Sequence, residues 1–186
     1  MEYKVAVIIP TLNEEKFIAR CLDSVIEQSY PFRDMDVMVV DGGSNDRTRE
    51  IVEEYGRKYI NIRFIHNPGR IQSIAFNIGV ENSDAPYIVR LDAHALYNKD
   101  YIEKCIAGLQ NDTQIGNVGG RCIILPFNDT LWANTNAILN YSRFGIGGSA
   151  FRVGVKPDFV DSVPFGAFPR TVFEKVGGMR EDLPRA

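Results

Sequence analysis

An aspartate and a histidine stand one residue apart near the middle of the chain, as Asp92 and His94. They follow a short apolar run with β-branched members, residues 87–91, which predicts a buried strand. Residues two apart at a strand end point to the same side, so both side chains can face one ligand. A carboxylate and an imidazole suit a divalent cation such as Mn²⁺. The alternative is that Asp92 begins a turn and His94 is a surface residue.

A second aspartate, Asp41, also follows a buried apolar run, residues 37–40, and opens the Gly-rich turn 41–46. A strand, a Gly-rich turn and a helix make one nucleotide-binding half-unit. Gly42 and Gly43 allow a left-handed backbone or a close approach of another segment. The carboxylate of Asp41 could accept an N–H from a nucleotide base, or it could only brace the turn.

Arg70 lies at a third transition from strand to helix, after the turn at residues 66–69. Its guanidinium could bind a diphosphate through two parallel N–H groups. It could equally be a solvated residue at the start of a helix. The sequence around Arg70 does not choose between the two.

The elements that must position these residues alternate between strand and helix. Apolar runs predict strands at 5–9, 37–40, 62–65 and 87–91, and helical spacing predicts helices from Glu14, after residue 46, from Ile71 and over 99–109. This order predicts an α/β fold with a mostly parallel sheet and helices on both faces. Ligands in such sheets bind outside the carboxyl ends of the strands, where the three sites above all lie.

The pattern is less regular in the last third of the chain. We expect a further strand at 118–125, a helix over 131–144, and a helix from Thr171 that Gly177 and Gly178 end. Residues 145–156 carry little periodicity and predict a long loop, which either orders over a bound ligand or is disordered. No repeat or linker is evident, so we predict a single domain over residues 1–186.

The composition excludes several classes of protein. With a net charge of −3 the chain does not resemble a general nucleic-acid-binding protein, although a few local donors would suffice for a phosphate ligand. Cys21, Cys105 and Cys122 are dispersed, which favours reduced core thiols over disulfides or a zinc site. No apolar run approaches the roughly 20 residues that span a bilayer, and the start of the chain is not typical of a secretory signal peptide.

Taken together, the motifs resemble the nucleotide-sugar domain of family 2 glycosyltransferases, which have the GT-A fold, a Rossmann-like sheet. The match is in the order and spacing of motifs that are each weak alone. The segment 160–168 and the Asp-Ala-His form look most like the exopolysaccharide enzymes of the succinoglycan type. The matching stretches are residues 7–15 (VIIPTLNEE), 39–48 (VVDGGSNDRT), 67–70 (NPGR), 91–94 (LDAH) and 166–178.

The resemblance implies roles for particular residues. Asp41 would accept the N–H of the base, usually uracil, which favours a UDP-sugar, and Arg70 would stand near the base or the diphosphate. Asp92 and His94 correspond to the Asp-x-Asp metal motif for Mn²⁺ or Mg²⁺. Because His94 replaces an acid, one negative charge is lost, which favours Mn²⁺ over Mg²⁺. The residues implied along the base and ribose are Pro10, Thr11, Leu12 and Glu14.

The resemblance also implies the reaction. The sugar would move with inversion at the anomeric carbon to a saccharide or a polyprenyl-linked acceptor, with a carboxylate as general base. We expect that base in a Glu-Asp or Gln-Asp pair just beyond Ala186, because Glu181 and Asp182 better match the acidic pair that directly follows Gly-Gly. We therefore expect a C-terminally truncated domain that lacks the acceptor-side segment. The implied location is cytoplasmic, at the inner face of the membrane in a full-length protein.

Three alternatives stand beside the transferase. A nucleotide-sugar binding module without catalysis would share the fold and lack only the base. A nucleotidyltransferase would need a Gly-rich basic loop after the first strand, whereas residues 10–14 contain no glycine and no basic residue. A dehydrogenase is weaker, because no Gly-x-Gly-x-x-Gly motif follows that strand.

Overall fold

The computed structural model describes residues 3–126, 128–140, 158–160 and 162–183. The chain forms two compact units, one made of residues 1–118 and 165–186 and the other of residues 119–164. The prediction of a single domain over residues 1–186 stays a prediction. The first unit contains the sheet and every residue that the sequence singled out for binding.

In the first unit, strands and helices alternate as the sequence predicted. The strands β1 to β4 are parallel, and the short β5 pairs antiparallel with β4, giving the order β3-β2-β1-β4-β5. The elements are β1 (Val5–Thr11), α1 (Ile18–Ile26), a 3₁₀ turn (Phe32–Asp34), β2 (Met35–Asp41), α2 (Thr48–Lys58), β3 (Ile62–His66), α3 (Gln72–Glu81), β4 (Tyr87–Arg90), α4 (Tyr101–Asn111), and, after the second unit's α5 (Leu131–Leu139), β5 (Ala167–Pro169) and α6 (Arg170–Val176).

Both faces of this sheet are covered, which explains why its central strands β1 and β2 are apolar except at Thr11, Asp36 and Asp41. Alternate side chains of a strand point to opposite faces. Val5, Val7 and Ile9 of β1 pack with apolar residues of α1, α2 and α4, whereas Ala6 and Ile8 pack with residues of α3 and α6. The two clusters pack against β1 from both sides and so hold the backbone at its carboxyl end in place.

Two helices begin at least two residues later than the sequence predicted, for local reasons. Helix α1 begins at Ile18 rather than at Glu14, because the backbone after Thr11 first bonds to the turn that follows β2. Helix α4 begins at Tyr101 rather than at residue 99, with Asp100 at its N-terminal cap position.

The predicted strand at 118–125 was wrong. Only Val118 forms a bridge, to Ala167, and residues 119–126 have no strand structure. Val118 bridges Ala167 on the side of β5 that faces away from β4, and β5 is only three residues long, so the segment finds no further strand to pair with in the described part of the chain. The sheet is therefore parallel except at this edge.

In the second unit, the described helix is α5, which begins after Thr130. The Thr130 Oγ1 accepts a hydrogen bond from the Ala133 N–H at 3.3 Å and so caps the helix. The predicted helix over 131–144 is confirmed for Leu131–Leu139, and its last residues lie outside the described residues, as does the predicted loop at 145–156.

Candidate functional site

A cleft of about 170 Å³ lies where β1, β3 and β4 end. The chain runs from β1 outward to β2 and β3 and then crosses to β4 on the other side of β1, so the cleft marks the point where the strand order reverses. This is where open α/β sheets bind ligands. The cleft is lined by Pro10, Thr11, Leu12, Glu14, Asn67, Arg70, Ile71, Gln72, Ala75, Asp92, Ala93 and His94. Every predicted donor or metal residue except Asp41 is among them.

Asp92 is held in the cleft by donors that bind it loosely. Its Oδ1 accepts hydrogen bonds from Gln72 Nε2 and from Arg90 Nη2, both at 3.4 Å, and its side chain is 16% exposed. Its backbone is fixed more firmly, because its N–H donates to the Tyr97 hydroxyl at 2.7 Å. The carboxylate is thus positioned in the cleft and still accessible to a ligand.

His94 contacts Glu14 rather than Asp92. The distance from His94 Nδ1 to Glu14 Oε1 is 3.1 Å, and the imidazole is 61% exposed whereas the Glu14 side chain is 19% exposed. The sequence brought Glu14 and His94 into one site but gave no sign of this contact. It joins the end of β1 to the end of β4.

Asp41 lies at the same edge of the sheet but outside the cleft, and it is 2% exposed. Its Oδ1 accepts from the hydroxyls of Thr11 at 3.2 Å and Ser44 at 2.5 Å, and its Oδ2 accepts from the N–H groups of Gly43 at 3.0 Å and Ser44 at 2.8 Å. Two carboxylate oxygens offer about four acceptor sites. These contacts support the interpretation that Asp41 braces the turn, and the idea that it accepts a base N–H stays a prediction.

The loop after β1 is bonded directly to the turn after β2. Asn13 N–H donates to Ser44 Oγ at 2.7 Å, and Asn45 N–H donates to Asn13 Oδ1 at 2.9 Å. Asn13 has a φ of +57°, a left-handed conformation in which asparagine is enriched among non-glycine residues. The Glu14 N–H donates to Thr48 Oγ1 at 2.8 Å. The turn after β2 and the first residue of α2 therefore hold the segment that lines the cleft.

Arg70 reaches the cleft from the turn after β3. Its backbone has a φ of +63°, and its Nε donates to the Gly42 carbonyl at 3.2 Å. A Cβ at position 42 would lie 3.3 Å from the Arg70 Cα and carbonyl oxygen, so the glycine there permits this close approach. The exposed guanidinium has further N–H groups for a ligand.

Two polar lining residues, Asn67 and Gln72, were not predicted as site residues. Asn67 is buried and holds the turn, because its side chain donates to the Ile71 carbonyl and accepts from the Gly69 N–H. Gln72 is the first residue of α3 and donates to Asp92. The sequence signal for Gln72 is its place two residues after Arg70, at a junction of strand and helix.

The thiol of Cys21 lies under the site. Burial, together with the nearby carboxylates of Asp92 and Glu14, raises the pKa of Cys21 to about 12. Its Sγ donates to the Asp92 carbonyl at 3.6 Å. Burial also raises the pKa of the Tyr97 hydroxyl. Both groups are therefore neutral near pH 7, and all three cysteines are free thiols.

The cleft offers a carboxylate and an imidazole to a cation rather than a complete metal cage. Across residues 3–126, 128–140, 158–160 and 162–183, no group of three or more His, Cys, Asp and Glu side chains could hold a metal ion. Asp92 and His94 nevertheless fit a divalent ion that takes its remaining ligands from a bound phosphate or water, because the carboxylate is loosely bound and the imidazole is exposed. Within the same ranges no helix could cross a membrane.

Comparison with known proteins places this fold and cleft in a family. The model of glycosyl transferase family 2 matches residues 6–177. A Methanococcus voltae dolichyl N-acetyl-alpha-D-glucosaminyl phosphate 3-beta-D-2,3-diacetamido-2,3-dideoxy-beta-D-glucuronosyltransferase is 31% identical over 170 residues, which are 88% of this chain and 52% of that protein. The succinoglycan biosynthesis protein ExoA of Rhizobium meliloti is 29% identical over 179 residues, which are 95% of this chain and 53% of that protein.

Solved structures show the same fold. The mannosyltransferase PcManGT from Pyrobaculum calidifontis, in complex with GDP-Man and Mn²⁺, has a TM-score of 0.70 at 24% identity, covering 98% of this chain and 49% of that one. Residues 1–349 of S. aureus TarS, in complex with UDP, have a TM-score of 0.69 at 20% identity. The match covers 98% of this chain and 52% of that one.

The predicted GT-A architecture is confirmed by these neighbours. The chain spans about half the length of the curated relatives it matches. With a family model matched over residues 6–177, this chain belongs to glycosyl transferase family 2.

Proposed function

We propose that this chain binds a nucleotide-diphosphate sugar, with UDP-sugars favoured, in the cleft at the ends of β1, β3 and β4, and serves sugar transfer with inversion at the anomeric carbon. The observation that carries the proposal is the convergence of seven predicted residues on one cleft at the reversal of strand order: Pro10, Thr11, Leu12, Glu14, Arg70, Asp92 and His94. The neighbours in complex with GDP-Man, UDP and UDP-GlcNAc support a sugar-nucleotide donor.

Within the cleft, the base and ribose would lie along Pro10, Thr11 and Leu12, the last being an exposed apolar side chain suited to cover a ring. Arg70 would approach the base or the diphosphate with its free N–H groups. Asp41 would accept a base N–H only if Thr11, Gly43 or Ser44 first released one of its acceptor sites. In the contacts seen here Asp41 contributes by holding the turn.

Asp92 and His94 would hold a Mn²⁺ or Mg²⁺ ion, which as a Lewis acid would neutralise the charge on the leaving diphosphate. The Mn²⁺ in the Pyrobaculum neighbour supports this choice. Gln72 and Arg90 keep the Asp92 carboxylate aimed into the cleft. The walls of the cleft exclude part of the solvent and so strengthen these contacts.

The acceptor hydroxyl has to lose its proton to a general base, which the order of family motifs predicts beyond Ala186. We propose a saccharide or polyprenyl-linked acceptor, which the Methanococcus relative supports because its name specifies a dolichyl phosphate sugar. The expected location, cytoplasmic and at the inner face of the membrane in a longer protein, belongs to the same proposal.

Calorimetric titration tests the donor site. UDP and GDP are titrated separately into the chain with Mn²⁺ and then with EDTA, and the series is repeated with Asp92→Asn and with the exposed-site control Asp84→Asn. We expect binding of UDP that needs Mn²⁺, is weakened in Asp92→Asn and is unchanged in Asp84→Asn. Failure of both nucleotides to bind in Mn²⁺ would overturn the proposal.

A second measurement separates the transferase from the binding module. UDP release is measured as the readout of both hydrolysis of UDP-sugars and sugar transfer to a simple saccharide acceptor. Metal-dependent binding without UDP release would favour the catalytically incompetent module. Turnover by residues 1–186 would contradict the expectation that the base lies further on.

A further inference from the structure

Glu14 is the residue whose contacts depart most from its expected role. It was expected along the nucleotide, yet its carboxylate lies 3.1 Å from His94 Nδ1. We propose that Glu14 is a positioning residue for His94, whose Nδ1–H it accepts so that Nε2 is presented to the cation of the donor site. This inference rests on the proposed function and assigns to Glu14 a task that the motif alone does not.

The tautomer follows from the chemistry of the pair. An ionised carboxylate only accepts hydrogen bonds, so the proton of this contact belongs to Nδ1 of His94. In a neutral imidazole the other nitrogen, Nε2, then carries the free lone pair. A histidine that binds a metal through one nitrogen commonly donates the other N–H to a carboxylate, which fixes the ring and raises its basicity.

Glu14 is held independently of His94, as a positioning residue has to be. Its N–H donates to Thr48 Oγ1 at 2.8 Å, and its carbonyl accepts from the N–H groups of Phe17 and Ile18, both at 2.9 Å. Thr48 is fully buried. These contacts anchor the backbone of Glu14, and its side chain is 19% exposed against 61% for the imidazole, so the more exposed imidazole is ordered by Glu14 rather than the reverse.

The Glu14–His94 pair also affects how much negative charge the cleft offers to a cation. An Asp-x-Asp motif would bring two carboxylates to a cation, whereas Asp92 and His94 bring one. Through its contact with His94, Glu14 returns a second negative charge to the same cleft. The loss of charge that the sequence implies at His94 is thus offset by a residue about 80 positions earlier in the chain.

The tautomer can be measured without a metal. The chain has only two histidines, so ¹⁵N-histidine labelling gives two ring systems, which a His66→Asn variant assigns. We expect His94 to carry its proton on Nδ1 in the wild type and in Glu14→Gln, whose amide oxygen still accepts, and to shift toward Nε2–H in Glu14→Ala. A predominantly Nε2–H ring in the wild type would overturn the proposal.

The coupling to the cation is measured by a double-mutant cycle. Free Mn²⁺ is followed by electron paramagnetic resonance in the wild type, Glu14→Gln, His94→Asp and the double variant. We expect Glu14→Gln to weaken Mn²⁺ binding about tenfold with histidine at position 94. With aspartate there, the same change should have no effect or strengthen binding, because Glu14 would then face a like charge.

Glu15→Gln is the matched control, because Glu15 is exposed, adjacent and bonded to the Arg47 N–H instead. It should leave Mn²⁺ binding unchanged. Equal weakening by Glu14→Gln in both backgrounds would show a general charge effect and overturn the proposal. If the wild type bound no Mn²⁺, the metal site of the proposed function would be contradicted. The ring spectrum would still report on the Glu14–His94 contact.

Discussion

The turn after β2 and the loop after β4 both place an aspartate at the same edge of the sheet, and the two acids have opposite surroundings. Asp41 is 2% exposed and accepts four hydrogen bonds at 2.5–3.2 Å from its own turn and from Thr11. Asp92 accepts two bonds at 3.4 Å and lines the cleft. One acid has its hydrogen-bonding capacity filled within the protein, and the other has capacity left for a ligand.

An acid at the end of a strand therefore does not bind a ligand simply because of its position. What differs is the number of donors that the neighbouring backbone supplies. The turn after β2 gives Asp41 two N–H groups because Gly43 adopts a φ of +83°. The loop after β4 uses its N–H at Asp92 for the Tyr97 hydroxyl and leaves the carboxylate to longer contacts.

The largest expected effect is on stability, at Asp41. Asp41→Ala removes the acceptor of four donors and leaves the buried Thr11 hydroxyl and the half-buried donors of Gly43 and Ser44 without this partner, so we expect the free energy of unfolding to fall by about 3 kcal/mol. Urea denaturation measures it, with the exposed-site change Asp84→Ala as control. A loss below about 1 kcal/mol would mean that the turn does not depend on this acid.

Asp92→Asn should weaken ligand binding and leave stability nearly unchanged, in contrast to Asp41→Ala. We expect the free energy of unfolding to change by less than about 1 kcal/mol, because the contacts to Asp92 are long. Mn²⁺-dependent binding of UDP should weaken by at least about tenfold, because a charged ligand to the cation is lost. Denaturation and calorimetry on the same sample check both. A large loss of stability with unchanged binding would reverse the assignment of the two acids.

The buried thiol beside Asp92 gives a pH prediction. Burial raises the pKa of Cys21 from 9.0 to about 12, so the unfolded thiol ionises first and stability is lost as pH rises above about 9. Between pH 8 and pH 10 the wild type should lose about 1 kcal/mol more than Cys21→Ala. Urea denaturation at both pH values checks this. Parallel losses in the two proteins would show that other groups account for the dependence.

The smallest expected effect concerns Gln72. Gln72→Ala removes one long, neutral hydrogen bond to Asp92, so Mn²⁺-dependent UDP binding should weaken only about threefold. Gln110→Ala, on an exposed position of α4, is the matched control. An effect as large as that of Asp92→Asn would show that Gln72 itself contacts the ligand.

Much of the fold could be predicted because its signals are local. Buried runs such as residues 5–9 and 37–40 need only their own composition to indicate strands covered on both faces, and their alternation with helices predicts a mostly parallel sheet. The strand predicted at 118–125 failed because a strand at the sheet edge needs a partner strand. The partner is β5, a three-residue strand some 50 residues later, and only Val118 bridges to it.

From the sequence alone, seven of the twelve residues that line the cleft could be predicted, because parallel strands bring their carboxyl ends to one edge and the motifs follow those ends. The packing of segments remote in sequence set the contacts that each residue makes there. It gave Asp41 four donors, put Gln72 on Asp92 and turned Glu14 to His94. The physical reason is that hydrogen bonds depend on distances of a few tenths of an ångström between segments remote in sequence, which spacing along the chain does not specify.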